Sequence, residues 1–134
     1  MYHGPMNAMQ LLMVAAGGAV GSVARYIVSV KLGLWSGTTV FPWATVLVNA
    51  LGCLLIGVVF AAAMVRGWLS PELRLLLAVG LLGGFTTFST FAMESLELAR
   101  NGEWSLAIVN VVLQNVLGLL MAFLGYWLVA ARAT

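Results

Sequence analysis

The chain has 134 residues, of which 63% are apolar and 7% charged, with a net charge of +2, against roughly 45–50% apolar and about 25% charged residues in a soluble domain. A soluble fold of this size leaves a large share of its surface in water, so the composition excludes that class and makes lipid the solvent. The small net charge gives no signal for a nucleic-acid partner or for steering a charged substrate, and the one cysteine, Cys53, allows no internal disulfide.

The chain opens on "MYHGPMNAM", where His3 reads as a solvated tail residue. Four apolar segments follow, each near the roughly 20 residues that cross a hydrocarbon core of about 30 Å. The first runs from about Met9 to Leu34 and is too long, without a charged start or small-residue cleavage pattern, for a removable signal peptide. Its "GGAVGSVARY" places Gly17 and Gly21 on a face suited to close helix packing. Arg25, in the same stretch, is costly in lipid and must find backbone carbonyls, a carboxylate or the interface.

After the linker "WSGTTVF", the second segment spans Pro42 to Val65. Pro42 suits a first turn, where its missing N–H costs nothing. Asn49 places an amide inside the membrane, open to two readings: an interhelical hydrogen bond or a donor on an ion path. The linker "RGWLSPE" leads into the third segment, Leu73 to Ala99, and "RNGE" into the fourth, Trp104 to Ala131. Asn101 and Gly102 suit a helix stop. Asn110, Gln114 and Asn115 give the fourth segment a polar side. Trp35, Trp43, Trp68, Trp104 and Trp127 fall near segment ends, where amphipathic rings favour the membrane interface. The fold expected is an all-α membrane protein, one four-helix domain over residues 1–134.

The third segment holds the least lipid-like stretch, "GGFTTFSTF" from Gly83 to Phe91. The glycine pair weakens a helix, and Thr86, Thr87, Ser89 and Thr90 compete for backbone groups through their hydroxyls. A mid-membrane break is expected there; such breaks bind ions through freed backbone groups. The competing reading is a close packing contact with hydroxyls bonded back to their own helix. Phe88 and Phe91, three residues apart, stack along one side with Glu94 continuing the row. Ring edges are positive and can favour an anion, although phenylalanine at helical spacing also makes plain core. Glu94 fits such a face or, equally, reaches toward Arg100 at the helix end.

With four crossings, Arg66, Arg74 and Arg132 share one side of the membrane with the termini, while Lys31 and Arg100 share the other, joined by Arg25 if it counts there. Orientation follows such a bias, and here almost none exists. Insertion both ways is therefore expected, with an antiparallel homodimer as the closed two-fold assembly.

"GGFTTFSTF" followed by Glu94, with "GGAVGSVARY", "VLVNALG" and "VLGLLMAFLG", resembles the Fluc family of small fluoride channels over essentially the whole chain. The resemblance implies a dual-topology antiparallel homodimer in the inner or plasma membrane, with two fluoride pores and a central structural sodium ion. It implies sodium held by the backbone carbonyls of Gly83 and Thr86, and Phe88 and Phe91 as pore-lining rings. Asn49 would be the pore amide, Ser89 and Thr90 part of a hydroxyl track, Glu94 near one pore end, and Arg25 the first-helix arginine. Gln114 departs from the small hydroxyl residue of many relatives. A small dual-topology proton-coupled exporter shares the size and charge balance, but coupling calls for a deep carboxylate, and the first two segments contain no Asp or Glu. No set of nucleophile, base and metal ligands converges to suggest an enzyme.

Overall fold

The computed structural model describes residues 7–36 and 40–131. His3, Arg132 and the side chain of Trp35 lie outside that description. The described regular structure is helical throughout: α1 (Ala8–Ser36), α2 (Trp43–Met64), α3 (Pro71–Arg74), a π-helical segment (Leu75–Leu82), α4 (Gly83–Phe85), α5 (Phe88–Arg100) and α6 (Trp104–Ala130). Four stretches, Ala8–Gly33, Trp43–Met64, Pro71–Arg100 and Trp104–Ala130, are long and apolar enough to cross a membrane. The chain is a multi-pass membrane protein. Exposed Tyr26, Phe60, Leu119 and Phe123 are spread over the first, second and fourth spans, an outer surface that lipid accepts and water does not.

Side chains and glycines set the helix ends. Asn7 Oδ1 accepts from the Gln10 N–H at 2.8 Å while Gln10 Oε1 accepts from the Asn7 N–H at 3.3 Å, a reciprocal cap that opens α1. Ser70 Oγ accepts from the Leu73 N–H at 3.2 Å ahead of Pro71, the first residue of α3. At the end of α5, Gly102 adopts φ 84°, its N–H reaches the Ala99 carbonyl at 3.1 Å and the Glu103 N–H reaches that of Leu98 at 2.9 Å. That pair of bonds is a glycine-terminated helix stop, at the place where the sequence expects Asn101 and Gly102 to supply one. The last turn of α6 is closed by Arg66, whose Nη2 donates to the Val129 carbonyl at 2.8 Å.

Two glycine seams hold the bundle. A Cβ on Gly57 of α2 would strike the Ala122 carbonyl, and one on Gly125 of α6 would strike that of Leu54, so these helices meet backbone to backbone. On the other side, Gly17 and Gly21 of α1 lie against the carbonyls of Leu76 and Leu81. The small-residue face read in "GGAVGSVARY" is used for that contact. The third span changes neighbours along its length: the π segment and α4 rest on α1, and α5 rests on α6. The change occurs at Thr86 and Thr87, between α4 and α5.

Candidate functional site

Regular helix stops at Phe85 and resumes at Phe88. Between them Thr86 (φ −81°, ψ 159°) and Thr87 (φ −150°, ψ 110°) are extended. Gly83 itself is helical, at φ −62° and ψ −37°. The extended pair therefore follows the two glycines that the sequence singles out. Gly84 serves packing instead: a Cβ there would lie 2.7 Å from the Gly18 carbonyl oxygen of α1. The threonines supply the competing bonds. Thr86 Oγ1 donates back to the Leu82 carbonyl at 2.9 Å, and Thr87 Oγ1 accepts from the Thr90 N–H at 3.2 Å as the N-cap of α5.

Asn49 grips the extended backbone at two points. Its Oδ1 accepts from the Thr87 N–H at 2.9 Å, and its Nδ2 donates to the Thr87 carbonyl at 3.2 Å and to Gln114 Oε1 at 2.7 Å. A continuous helix would send the Thr87 N–H to the Gly83 carbonyl and the Thr90 N–H to that of Thr86. Both donors are turned to side chains here. The Gly84 carbonyl receives the Arg25 Nε–H at 3.2 Å, which meets the expectation that Arg25 must find a backbone oxygen.

Two cavities flank this grip. The larger, about 370 Å³, is bounded by Asn49, Gly52, Thr86, Thr87, Phe88, Phe91 and Gln114 among others. A Cβ on Gly52 would strike the Thr86 methyl, so the glycine makes room for the extended pair. The smaller, about 220 Å³, is bounded by Ser22, Arg25, Tyr26, Ser29, Thr45, Val48, Thr87 and Thr90. Thr87 borders both. The Phe88 and Phe91 rings meet edge to face, 5.3 Å between centroids at 60°, with Phe88 78% exposed and Phe91 8% exposed. The two rings thus differ: Phe91 is fixed in the bundle, while Phe88 projects from it. Thr87 Oγ1 donates to Thr90 Oγ1 at 2.9 Å, and Ser89 Oγ lies 3.4 Å from the Thr87 hydroxyl.

Glu94 pairs across to α2 and not with Arg100. Its Oε1 accepts from the Thr45 hydroxyl at 2.6 Å and its Oε2 is buried without a hydrogen-bond partner. Thr45 is a residue that sequence reasoning misses. Its signal is spacing, since it stands one turn before Asn49 on the same face of α2. A second group missed in the same way is Ser95, whose hydroxyl donates to the Phe91 carbonyl at 2.8 Å and accepts from Asn110 Nδ2 at 2.9 Å. Asn110, fully buried, accepts in turn from Gln114 Nε2 at 3.0 Å. Asn115 does not join them and donates to the Val111 carbonyl of its own helix at 2.7 Å.

Residues 12–126 match the family described as CrcB-like protein, Camphor Resistance (CrcB). A protein of Shewanella sp. strain ANA-3 named fluoride-specific ion channel FluC is 48% identical over 122 residues, covering 91% of this chain and 97% of that relative. Proteins of the same name from Shewanella baltica strain OS185 and Magnetococcus marinus are 47% and 45% identical, covering 91% and 87% of this chain. Identity of that level across all four spans leaves one assignment: the chain belongs to the CrcB family of FluC-type membrane proteins.

Proposed function

We propose that this protein is a fluoride-selective ion channel that lets fluoride cross the inner or plasma membrane down its electrochemical gradient and so protects the cell from fluoride toxicity. The observation that carries the reading is the cavity bordered by Phe88, Phe91, Asn49, Thr87 and Gln114, in a chain 48% identical to a relative named for fluoride conduction. Fluoride is small and strongly hydrated, so a narrow path must replace its water with close donors. Hydroxyls, amides and ring edges do so without a formal charge, which keeps the ion weakly enough held to leave. The path so proposed runs past Asn49, Phe88 and Phe91, along the hydroxyls of Ser89 and Thr90, toward Glu94.

The working unit is an antiparallel, dual-topology homodimer whose third span is broken at membrane depth. The near-even distribution of Lys and Arg supports the two orientations. A structural sodium ion at the dimer centre suits the donor set: the Gly83 and Thr86 carbonyls, whose helical donors are diverted to Asn49 and Thr87, are neutral oxygens of the hard type that alkali ions accept. Gly83 is exposed on the single chain, which leaves its carbonyl available to a centre shared with a second copy. The test is efflux from liposomes containing only this protein, loaded with potassium fluoride or potassium chloride. Rapid loss of fluoride with chloride retained is expected; retention of both anions overturns the reading.

A further inference from the structure

The turn that follows α2 is held by its own backbone. The Val65 and Arg66 N–H groups both reach the Ala61 carbonyl, at 2.9 and 3.2 Å, and the Trp68 N–H reaches that of Ala62 at 2.9 Å. Gly67 takes φ 64°, a left-handed angle that favours glycine. Arg66 and Trp68 therefore leave the chain from fixed backbone just beyond Met64, where the second span ends.

Arg66 is fixed a second time through its side chain. Its Nε and Nη2 donate to the Val129 carbonyl at 3.1 and 2.8 Å, and its guanidinium carbon lies 5.3 Å from the centre of the Trp68 ring. A guanidinium carries five N–H donors. Two are spent on Val129; the others, on Nη2 and Nη1, meet no acceptor among the described residues. No described carboxylate pairs with this cation, and Arg74 brings a second positive charge to the same end of α2, its Nη1 3.8 Å from Met64 Sδ.

Trp68 is 66% exposed, and a tryptophan at the end of a span lies at headgroup depth. Deeper along the same two helices, exposed Phe60 of α2 and Tyr126 of α6 lie against each other, 6.2 Å between ring centroids. A planar donor fork thus stands above an apolar surface, at the boundary between headgroups and acyl chains. Such a fork matches two oxygens of a phosphate, and Arg66 has already lost its rotamer freedom to Val129 and Trp68.

We propose that Arg66 and Trp68, with Phe60 and Tyr126 beneath them, form a binding site for a phospholipid, its phosphate on the Arg66 fork and an acyl chain over the two rings. Anionic headgroups fill it best, because the ammonium of a choline headgroup meets the charges of Arg66 and Arg74. None of the four residues borders either cavity, so the site ties the ends of α2 and α6 to the headgroup layer apart from the ion path.

Purified protein in dodecyl maltoside, mixed with equal amounts of dioleoylphosphatidylglycerol and dioleoylphosphatidylcholine, tests this by native mass spectrometry. The parent is expected to retain phosphatidylglycerol in preference, and that lipid should raise its resistance to denaturing detergent more than phosphatidylcholine does. Arg66→Lys keeps the charge and a donor for Val129 but loses the planar fork. It should need about tenfold more phosphatidylglycerol for the same retention, the size of one hydrogen bond to a charged group. Trp68→Leu leaves the Arg66 bonds to Val129 in place and should weaken retention in the same direction, which separates lipid binding from a damaged fold. Excess inorganic phosphate should not displace the lipid, since it has no acyl chain. The assignment is overturned if the parent holds the two lipids equally, if either variant holds phosphatidylglycerol as tightly as the parent, or if inorganic phosphate displaces it.

Discussion

Replacing Asn49 with Leu removes three hydrogen bonds, at 2.9, 3.2 and 2.7 Å, with a side chain of similar volume and no added charge. Interhelical side-chain bonds in membrane proteins contribute about 0.6 kcal/mol on average and about 1.7 at most, so three of them set a floor near 2 kcal/mol. Stranding the Thr87 backbone adds to that loss. As the N-cap of α5 its N–H has no helical acceptor to fall back on, and an unpaired buried group costs about 1–3 kcal/mol. Thr87 borders both cavities, so water can reach it and the cost falls toward the lower end. The expected loss is about 2–4 kcal/mol.

Reversible unfolding in mixed micelles of increasing denaturing-detergent fraction measures that loss, and amide exchange at Thr87 reports it locally. Asn49→Leu should lower the midpoint and speed exchange of the Thr87 N–H. Gln114→Met breaks one of the three bonds and also its own bond to the buried Asn110 Oδ1, and the double variant should cost less than the sum of the two, because both changes remove the Asn49–Gln114 bond. An Asn49→Leu protein within about 0.5 kcal/mol of the parent, the spread of an ordinary surface substitution, would refute the claim that this amide holds the extended pair in place.

Four further outcomes are expected. A single cysteine introduced at one terminus in a Cys53→Ser background should be labelled from outside in about half the copies, since the Lys and Arg tally gives no net preference; uniform labelling or uniform protection contradicts dual insertion. Phe88→Ile and Phe91→Ile should both slow fluoride efflux steeply, yet only Phe91→Ile should measurably lower stability, because Phe91 is buried and Phe88 exposed; parental flux in both reduces the rings to packing. Thr86→Ala should retain sodium-dependent dimer stability, since the carbonyl proposed to hold the ion remains; loss of that dependence in an intact dimer rules out the carbonyl assignment. Gly125→Leu should prevent α2 and α6 from closing, because its first side-chain carbon already meets the Leu54 carbonyl; a normally assembled variant means the seam can open without cost.

The spans are legible in the sequence because lipid imposes a simple demand on each one separately. Length, hydropathy and end signals are local, so Pro71, the Asn101–Gly102 stop and the tryptophans near segment ends can be interpreted without knowing any neighbour. The π segment Leu75–Leu82 is not legible, since its widened hydrogen-bond pattern leaves no mark in a run of leucines, alanine, valine and glycine. The position of the extended pair is only partly so. The glycines and the hydroxyls are adjacent, and either could interrupt a helix by composition. Gly84 is instead occupied by a tertiary contact against α1 and Gly83 keeps helical angles, which leaves the threonines to turn the chain.

The polar residues obey a different logic. That Asn49, Gln114 and Asn110 must each find partners follows from the cost of an unpaired amide away from water, but the partner depends on which helices touch. Asn49 and Gln114 are 65 residues apart, and nothing in either segment says that α2 lies along α6. The glycine seam of Gly57 and Gly125 brings the two backbones close enough for the amides to meet. Glu94 shows the same dependence: Arg100 is its nearest cation in the chain, yet the contact that forms is with Thr45, because α5 carries Glu94 toward the start of α2. Gln114, the departure from a small hydroxyl residue, and Asn110 are therefore wired into the third span. Their bonds run from the extended Thr87 at one end to the backbone of the Phe91 ring residue at the other, tying the two sides of one cavity through a single polarised chain.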